Sequence, residues 1–325
     1  MKRFSKSLSI LGAPYEFGQR KPGVRLAPQA LRDFGLVEDL RRTGLEVLDR
    51  GDIRWEHPLQ EAETGSSWYR LNASANRQLF EATRSFRSSN QRVLTLGGDH
   101  GLALGTIAGV LSAQPETGII WIDAHADLNS LSTSPSGNFH GMPVAGLLGL
   151  FEPELADCFP WLPSPLWPER LVYIGVREID PGERERITRL GIEWIPPEVV
   201  AVQGPEWAIH TALKALRRTL PKEAPIHLSF DIDAVDPKDA PATGTPVPSG
   251  IEGQNAVTLV RTLAETGRLE SMDLVEVNPT LGENPAALFE TLSLAKQLAL
   301  QAFAPSMPLY GTQDIEKPNT KDISL

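Results

Sequence analysis

Ile119-Ile120-Trp121-Ile122, followed at once by Asp123-Ala124-His125-Ala126-Asp127, is the stretch on which the reading of this chain turns. Four apolar residues form a short strand, and the composition then switches to metal-ligand side chains. Two more segments repeat the pattern. The apolar run 92–96 stops at Gly97-Gly98-Asp99-His100, and the run 226–230 leads into Asp231-Ile232-Asp233.

Outward from these segments the chain alternates strand, loop and helix. Strands are read at 8–11, 45–48, 92–96, 119–122, 171–175, 226–230 and 274–277. Helical spacing is read at 30–40, 71–86, 102–111, 181–190, 256–266 and 285–303, with Pro181 in a first turn. Residues 130–141 are a loop rich in Ser, Thr, Pro and Gly, and 151–168 read as a packed surface excursion. Such alternation predicts an α/β fold with a parallel sheet covered on both faces. Ligands of such sheets bind beyond the carboxyl ends of the strands, where all three segments fall. Residues 1–305 are read as a single catalytic domain. The polar stretch 306–325 is left open between disorder and a subunit contact.

The 325 residues carry a formal net charge of −10. That balance argues against nucleic acid or an anionic membrane surface as a partner. Cys158 is the single cysteine, so no intrachain disulfide is possible and a cytoplasmic setting is the simplest expectation. The apolar stretch near the amino terminus is broken by Gly12 and Pro14. No run reaches the ~18 apolar residues of a membrane span, so a soluble protein is expected.

Asp123, His125 and Asp127 stand at i, i+2 and i+4, which in an extended backbone points them to one side. Asp231 and Asp233 repeat the i, i+2 spacing. Either aspartate pair alone reads equally well as a helix cap or turn, and His100 alone as a packed histidine. Together they are prohibitive to bury without cations. Oxygen-rich ligation with imidazole and no thiolate suits Mn²⁺ and leaves Co²⁺, Fe²⁺ and Zn²⁺ open. Two such ions about 3.5–4 Å apart generate a nucleophile from water. The expected chemistry is metal-assisted hydrolysis.

The three segments, together with Gly12-Ala13-Pro14 to Gly23, Ser136-Gly137-Asn138-Phe139-His140-Gly141, Arg177-Glu178-Ile179-Asp180-Pro181-Gly182-Glu183, Pro241-Ala242-Thr243-Gly244-Thr245-Pro246 and Glu276-Val277-Asn278-Pro279, resemble the ureohydrolase family, and within it the arginases. The resemblance implies a three-layer α/β/α fold with a central, mostly parallel sheet, and homotrimers or homohexamers. It implies two Mn²⁺ per chain, one held by His100, Asp123, Asp127 and Asp231 and the other by Asp123, His125, Asp231 and Asp233. The implied reaction takes L-arginine and water to L-ornithine and urea.

A guanidinium is planar and permanently charged, so a carboxylate is its natural partner. The resemblance gives that role to Glu276, proton delivery to His140, and support of the guanidinium to Thr245. It also implies that Asp127 holds the hydroxide. At the far end Asn129, Ser136 and Asn138 offer neutral donors to the α-carboxylate, and Asp180 and Glu183 offer acceptors to the α-ammonium. Without the resemblance, each has a plainer reading: an exposed loop histidine for His140, turn residues for Ser136 and Asn138, and a helix cap for Asp180. Pro135, Glu178 and Phe139 depart from the family pattern, which bears on affinity more than on reaction. Asp99 is read as a turn or supporting carboxylate. His57 and His210 are expected to face solvent, and His227 to be structural.

Overall fold

The computed structural model describes residues 7–56, 66–282 and 284–306. His57 and residues 307–325 of the expected tail lie outside them. Eight strands carry the fold: β1 (Ser7–Ala13), β2 (Glu46–Asp52), β3 (Arg92–Gly97), β4 (Gly118–Ile122), β5 (Leu171–Ile174), β6 (Glu193–Ile195), β7 (Ile226–Asp231) and β8 (Leu269–Val275). They form one sheet in the order β2-β1-β3-β8-β7-β4-β5-β6, and every neighbouring pair is parallel.

The helices are α1 (Ala27–Asp33), α2 (Leu36–Arg42), α3 (Ser66–Ser88), α4 (Ala103–Ala113), α5 (Pro143–Leu147), α6 (Pro153–Ala156), α7 (Pro181–Leu190), α8 (Pro197–Gln203), α9 (Pro205–Leu216), α10 (Gly253–Glu265) and α11 (Pro285–Phe303). The two-residue period of the strands sorts them into layers. Along β4, Ile120 and Ile122 pack with residues of α1, α2 and α8 to α11. Ile119 and Trp121 face the other way, onto α4 and α5. Helices therefore cover both faces, giving the expected α/β/α arrangement, with all sheet pairings parallel.

The sheet order decides where the site forms. His100 follows β3, Asp123 to Asp127 follow β4, Asp231 ends β7, and Glu276 follows β8. Those four strands are the adjacent central set β3-β8-β7-β4. β3 and β4 are consecutive in the chain but stand apart in the sheet, with β8 and β7 between them. The loops leaving them open a crevice at the carboxyl edge.

Two local expectations are revised, and one segment that was given no element proves to be regular. The helix read at 30–40 is two helices, because Gly35 adopts φ +81°, a left-handed conformation that ends a helical run. The segment β6, α8 and α9 carried too little pattern to be read: β6 is three residues long, and Pro196 and Gly204 punctuate the helices. β8 begins at Leu269, five residues before the strand read at 274. Its first half looks polar because Glu270, Ser271 and Asp273 are all buried there.

Those buried charges are partnered. Glu270 Oε2 accepts from Arg87 Nη2 at 2.9 Å, with both side chains almost wholly buried. Asp273 accepts from Thr106 of α4 and faces His227 Nε2 at 3.3 Å. His227 is thus structural, as expected, and His210 is exposed. Burial lowers Arg87 and raises Glu270 from their ordinary pKa values, so each disfavours its own charge and relies on the other. Removing one partner leaves an uncompensated buried ion. Glu270→Ala is expected to cost about 3–5 kcal/mol in urea unfolding; a loss below about 1 kcal/mol would show that the pair does not anchor this central strand.

Candidate metal centre

Asp99 turns the chain at the end of β3. Its side chain accepts from Gly101 N at 3.0 Å, capping a single 3-10 turn that aims His100 into the crevice. His100 Nδ1 meets three carboxylates there: Asp123 Oδ2 at 2.9 Å, Asp231 Oδ2 at 3.1 Å and Asp127 Oδ2 at 3.3 Å. Its Nε2 is bonded to Ser229 Oγ at 2.8 Å. The ring stacks on Trp121 at 4.1 Å between centroids, and Trp121 Nε1 donates to Asp123 Oδ2 at 2.9 Å.

A second cluster shares Asp123 with the first. His125 Nδ1 lies 3.1 Å from Asp233 Oδ2 and 3.5 Å from Asp123 Oδ1. His100, Asp123 and Asp231 form one group able to hold a metal ion, and Asp123, His125 and Asp233 another. Asp127 joins the first through its contact with His100. Extended geometry did not deliver it there: Asp127 has φ +48°. A left-handed backbone at a non-glycine residue is strained, and it persists where surrounding structure imposes it.

The electrostatics of the clusters follow from this crowding. Burial drives the Asp127 and Asp231 carboxyls well above their usual range, reinforced by Asp123 beside the former and by Asp233 and Asp123 beside the latter. Burial opposes charge on the imidazoles, but Asp123 overcomes it at His100, which rises to about 9. Burial also opposes charge on His125, and Asp233 and Asp123 lift it well above its ordinary value. Four buried aspartates thus face two imidazoles, and each shift reports a demand for positive charge among them. Divalent cations would meet that demand and bind these carboxylate oxygens and imidazole nitrogens. The donor set fits.

Glu276 and His140 stand beside the first cluster. Glu276 Oε1 accepts from His100 N at 3.0 Å and lies 3.0 Å from His140 Nδ1. The strand read through 277 ends at Val275, and Glu276 has φ +61°. The second strained acid thus also lies in the crevice. Thr245 Oγ1 donates to Asp233 Oδ2 at 2.8 Å, and the loop carrying it is braced where Lys21 Nζ donates to Gly244 O.

Asp180 and Glu183 form a capping box on α7, and Glu183 also accepts from Leu128 N at 2.9 Å. Asn129 Nδ2 donates to Asp180 Oδ2 at 2.8 Å and retains a second proton. Ser136 Oγ accepts from Asn138 N at 3.1 Å, so these two neighbours are joined to each other rather than to the acid clusters.

Some supporting residues escaped sequence reasoning. Trp121 and Ser229 looked like strand filling, and their roles come from cross-strand register, since Trp121 pairs with Ser229 between β4 and β7. Arg177 donates to the carbonyls of Asp233, Ala234, Val247 and Pro248, clasping the loops that carry Asp233 and Thr245. Asp99 Oδ2 accepts from Gly18 N at 2.9 Å, and Gly18 O accepts from His140 N at 3.0 Å. A Cβ at Gly18 would fall 2.3 Å from Asp99 Oδ1, so only glycine permits this approach.

Chelation should lower the thermal midpoint of the protein, and added Mn²⁺ should restore it, because ligands that bind only the folded state stabilise it. Asp123→Ala, which disrupts both clusters, should abolish that response. A midpoint in Asp123→Ala that still rises with Mn²⁺ would place the cations elsewhere.

Comparison with known proteins agrees with this geometry. The Arginase family matches residues 6–304. Arginase-1 of Oryctolagus cuniculus is 37% identical over 310 residues, covering 93% of this chain and 94% of its own. The structure of the arginase from Bacillus caldovelox superposes with a TM-score of 0.83 at 36% identity, covering 92% of this chain and 99% of that one. The Entamoeba histolytica arginase, solved in complex with L-ornithine, superposes with a TM-score of 0.81 at 30% identity, covering 92% and 99%. With a family match across nearly the whole chain and an aspartate shared by two ligand clusters at the carboxyl edge of the sheet, this protein belongs to the arginase family.

Proposed function

We propose that this chain hydrolyses L-arginine to L-ornithine and urea at a binuclear manganese centre. The observation that carries the reading is Asp123, whose two oxygens face separate imidazole-containing clusters. On this reading His100, Asp123, Asp127 and Asp231 hold one cation, and Asp123, His125, Asp231 and Asp233 the other. When bound, the cations supply a nucleophile from water near neutral pH and offset the charge of the aspartates. The oxygen-rich donor set supports Mn²⁺.

The chain's own residues do the rest. Glu276 Oε1 is already engaged by His100 N and His140. Its other oxygen, Oε2, faces the loop at Gly244, 3.8 Å from where a Cβ on that glycine would stand. The guanidinium sits there by charge-assisted hydrogen bonding. Thr245, fixed on Asp233, supports it from the loop opposite, and Asp127 orients the water. Water adds to the guanidinium carbon, the bond from that carbon to the side-chain nitrogen breaks, and the departing amine takes a proton. His140 supplies that proton from Nε2 while its Nδ1 is bonded to Glu276. Burial opposes its charge and Glu276 overcomes this, raising its pKa so that the ring holds a proton to give. At the far end Asn129, Ser136 and Asn138 receive the α-carboxylate, and Asp180 and Glu183 the α-ammonium.

The catalytic unit is residues 1–305, assembled as a homotrimer or homohexamer. The exposed Trp167, Val202 and Trp207 offer apolar surface for contact. The single cysteine supports a cytoplasmic setting. No described helix is long and apolar enough to cross a membrane.

A urea assay with added Mn²⁺ across L-arginine, agmatine and guanidino acids tests the assignment, with L-arginine expected to give the highest kcat/KM. No ornithine from L-arginine would end it. His140→Ala should lose about 10²–10⁴-fold in kcat with metal content unchanged. Asn138→Ala should act mainly on KM for L-arginine; an unaltered KM would remove Asn138 from the carboxylate site.

A further inference from the structure

Residues 129–138 carry Asn129, Ser136 and Asn138, yet contain no helix or strand, and Ser132, Pro135 and Ser136 are exposed. Neutral donors discriminate a carboxylate only if they are held in place before the ligand arrives, since ordering them afterwards costs affinity. The loop therefore needs an anchor outside itself.

Glu152, the residue before α6, supplies one. Donors from three consecutive loop residues converge on its carboxylate. Oε1 accepts from Ser132 Oγ at 2.6 Å, Ser130 Oγ at 2.7 Å and Ser132 N at 3.1 Å, and Oε2 accepts from Leu131 N at 3.1 Å. Arg186 of α7 grips the same segment from the other side, donating to Ser130 Oγ at 2.6 Å and Leu128 O at 2.7 Å. From this anchor the loop is tied internally: Ser130 N donates to Thr133 Oγ1, Ser134 N to Ser130 O, and Gly137 N to Ser134 Oγ. Burial opposes the Glu152 charge, but the hydrogen bonds from Ser132, Ser130 and the backbone together outweigh it and lower the carboxyl to about 2. Four donors converging on one carboxylate make hydrogen bonds of the stronger, charge-assisted kind.

We propose that Glu152 is a positioning residue for substrate selection: by fixing residues 130–132 it sets Ser136 and Asn138 where they meet the α-carboxylate of the substrate. The inference rests on the L-arginine reading above. Glu152 touches no reacting group, so its effect is confined to ligands that carry that carboxylate. Agmatine has the same guanidinium and lacks the carboxylate.

The test is steady-state kinetics of the full-length, metal-loaded enzyme and its Glu152→Gln and Ser132→Ala variants. It reads kcat and KM for L-arginine and the inhibition constant of agmatine against it. Glutamine keeps the shape and one acceptor oxygen but removes the charge. Glu152→Gln is expected to raise KM for L-arginine about tenfold, the scale of one hydrogen bond to a charged group. By the same scale kcat and the agmatine constant should stay within about twofold. Ser132→Ala, an exposed change that leaves the fold intact, should show a smaller shift of the same kind, and the double variant should be no worse than Glu152→Gln alone. An unchanged KM, or equal losses for L-arginine and agmatine, would overturn the proposal, the second outcome marking a merely structural role. Wild-type enzyme assayed alongside tests the L-arginine reading separately, since its failure there precedes any variant effect.

Discussion

Like charge in a dry place is the constraint on which this molecule depends. Asp123, Asp127, Asp231 and Asp233 are each no more than 7% exposed and are crowded around two imidazoles. Water cannot reach them to screen their repulsion, and desolvation penalises each ionised carboxylate separately. The sheet is what imposes the crowding. Four neighbouring parallel strands deliver their ends to one edge, and each end arrives with acids. Positive charge must enter that edge for the arrangement to be favourable.

The surroundings hold the acids at fixed angles. Ser229 and Trp121 fix the His100 ring on two sides, one by a hydrogen bond and one by stacking. Arg177 reaches four carbonyls across the loops after β7, so the segments bearing Asp233 and Thr245 cannot drift independently. Asp127 and Glu276 adopt left-handed backbone that non-glycine residues avoid, which costs of order 1–3 kcal/mol each. The packing around them sustains that cost, and both lie at the carboxyl edge of the sheet.

Much of this is legible in the amino-acid sequence. Apolar runs that stop abruptly at Asp and His gave the three ligand segments, because a buried parallel strand and a metal ligand set are both compositional signals. The helices at 181–190 and 285–303 emerged with their observed limits, since Pro181 and Pro285 mark their starts. What stayed hidden depends on partners distant in the chain. Nothing near Ser229 announces that His100 will bond to it. The buried Glu270 and Asp273 made half of β8 look like loop, because their partners Arg87, Thr106 and His227 lie far away in the chain. The positive φ at Glu276 occurs where β8 ends against Gly98, a residue far away in the chain whose carbonyl accepts from Glu276 N at 2.9 Å. The separation of α1 from α2 could be read only from Gly35, and a lone glycine is a weak signal.

The strand order also carries a kinetic consequence. β3 pairs with β8, and β4 with β7, so the crevice closes only when segments about 100 to 180 residues apart have found each other. A nascent chain that has emerged only as far as Ile174 holds His100, Asp123, His125 and Asp127 but has no β7 or β8 to set between β3 and β4. The half-made edge already concentrates acids and imidazoles, with their final neighbours still unsynthesised. Topology alone thereby makes the metal centre one of the last parts of the molecule to mature, and ties its completion to release of the carboxyl-terminal third of the polypeptide.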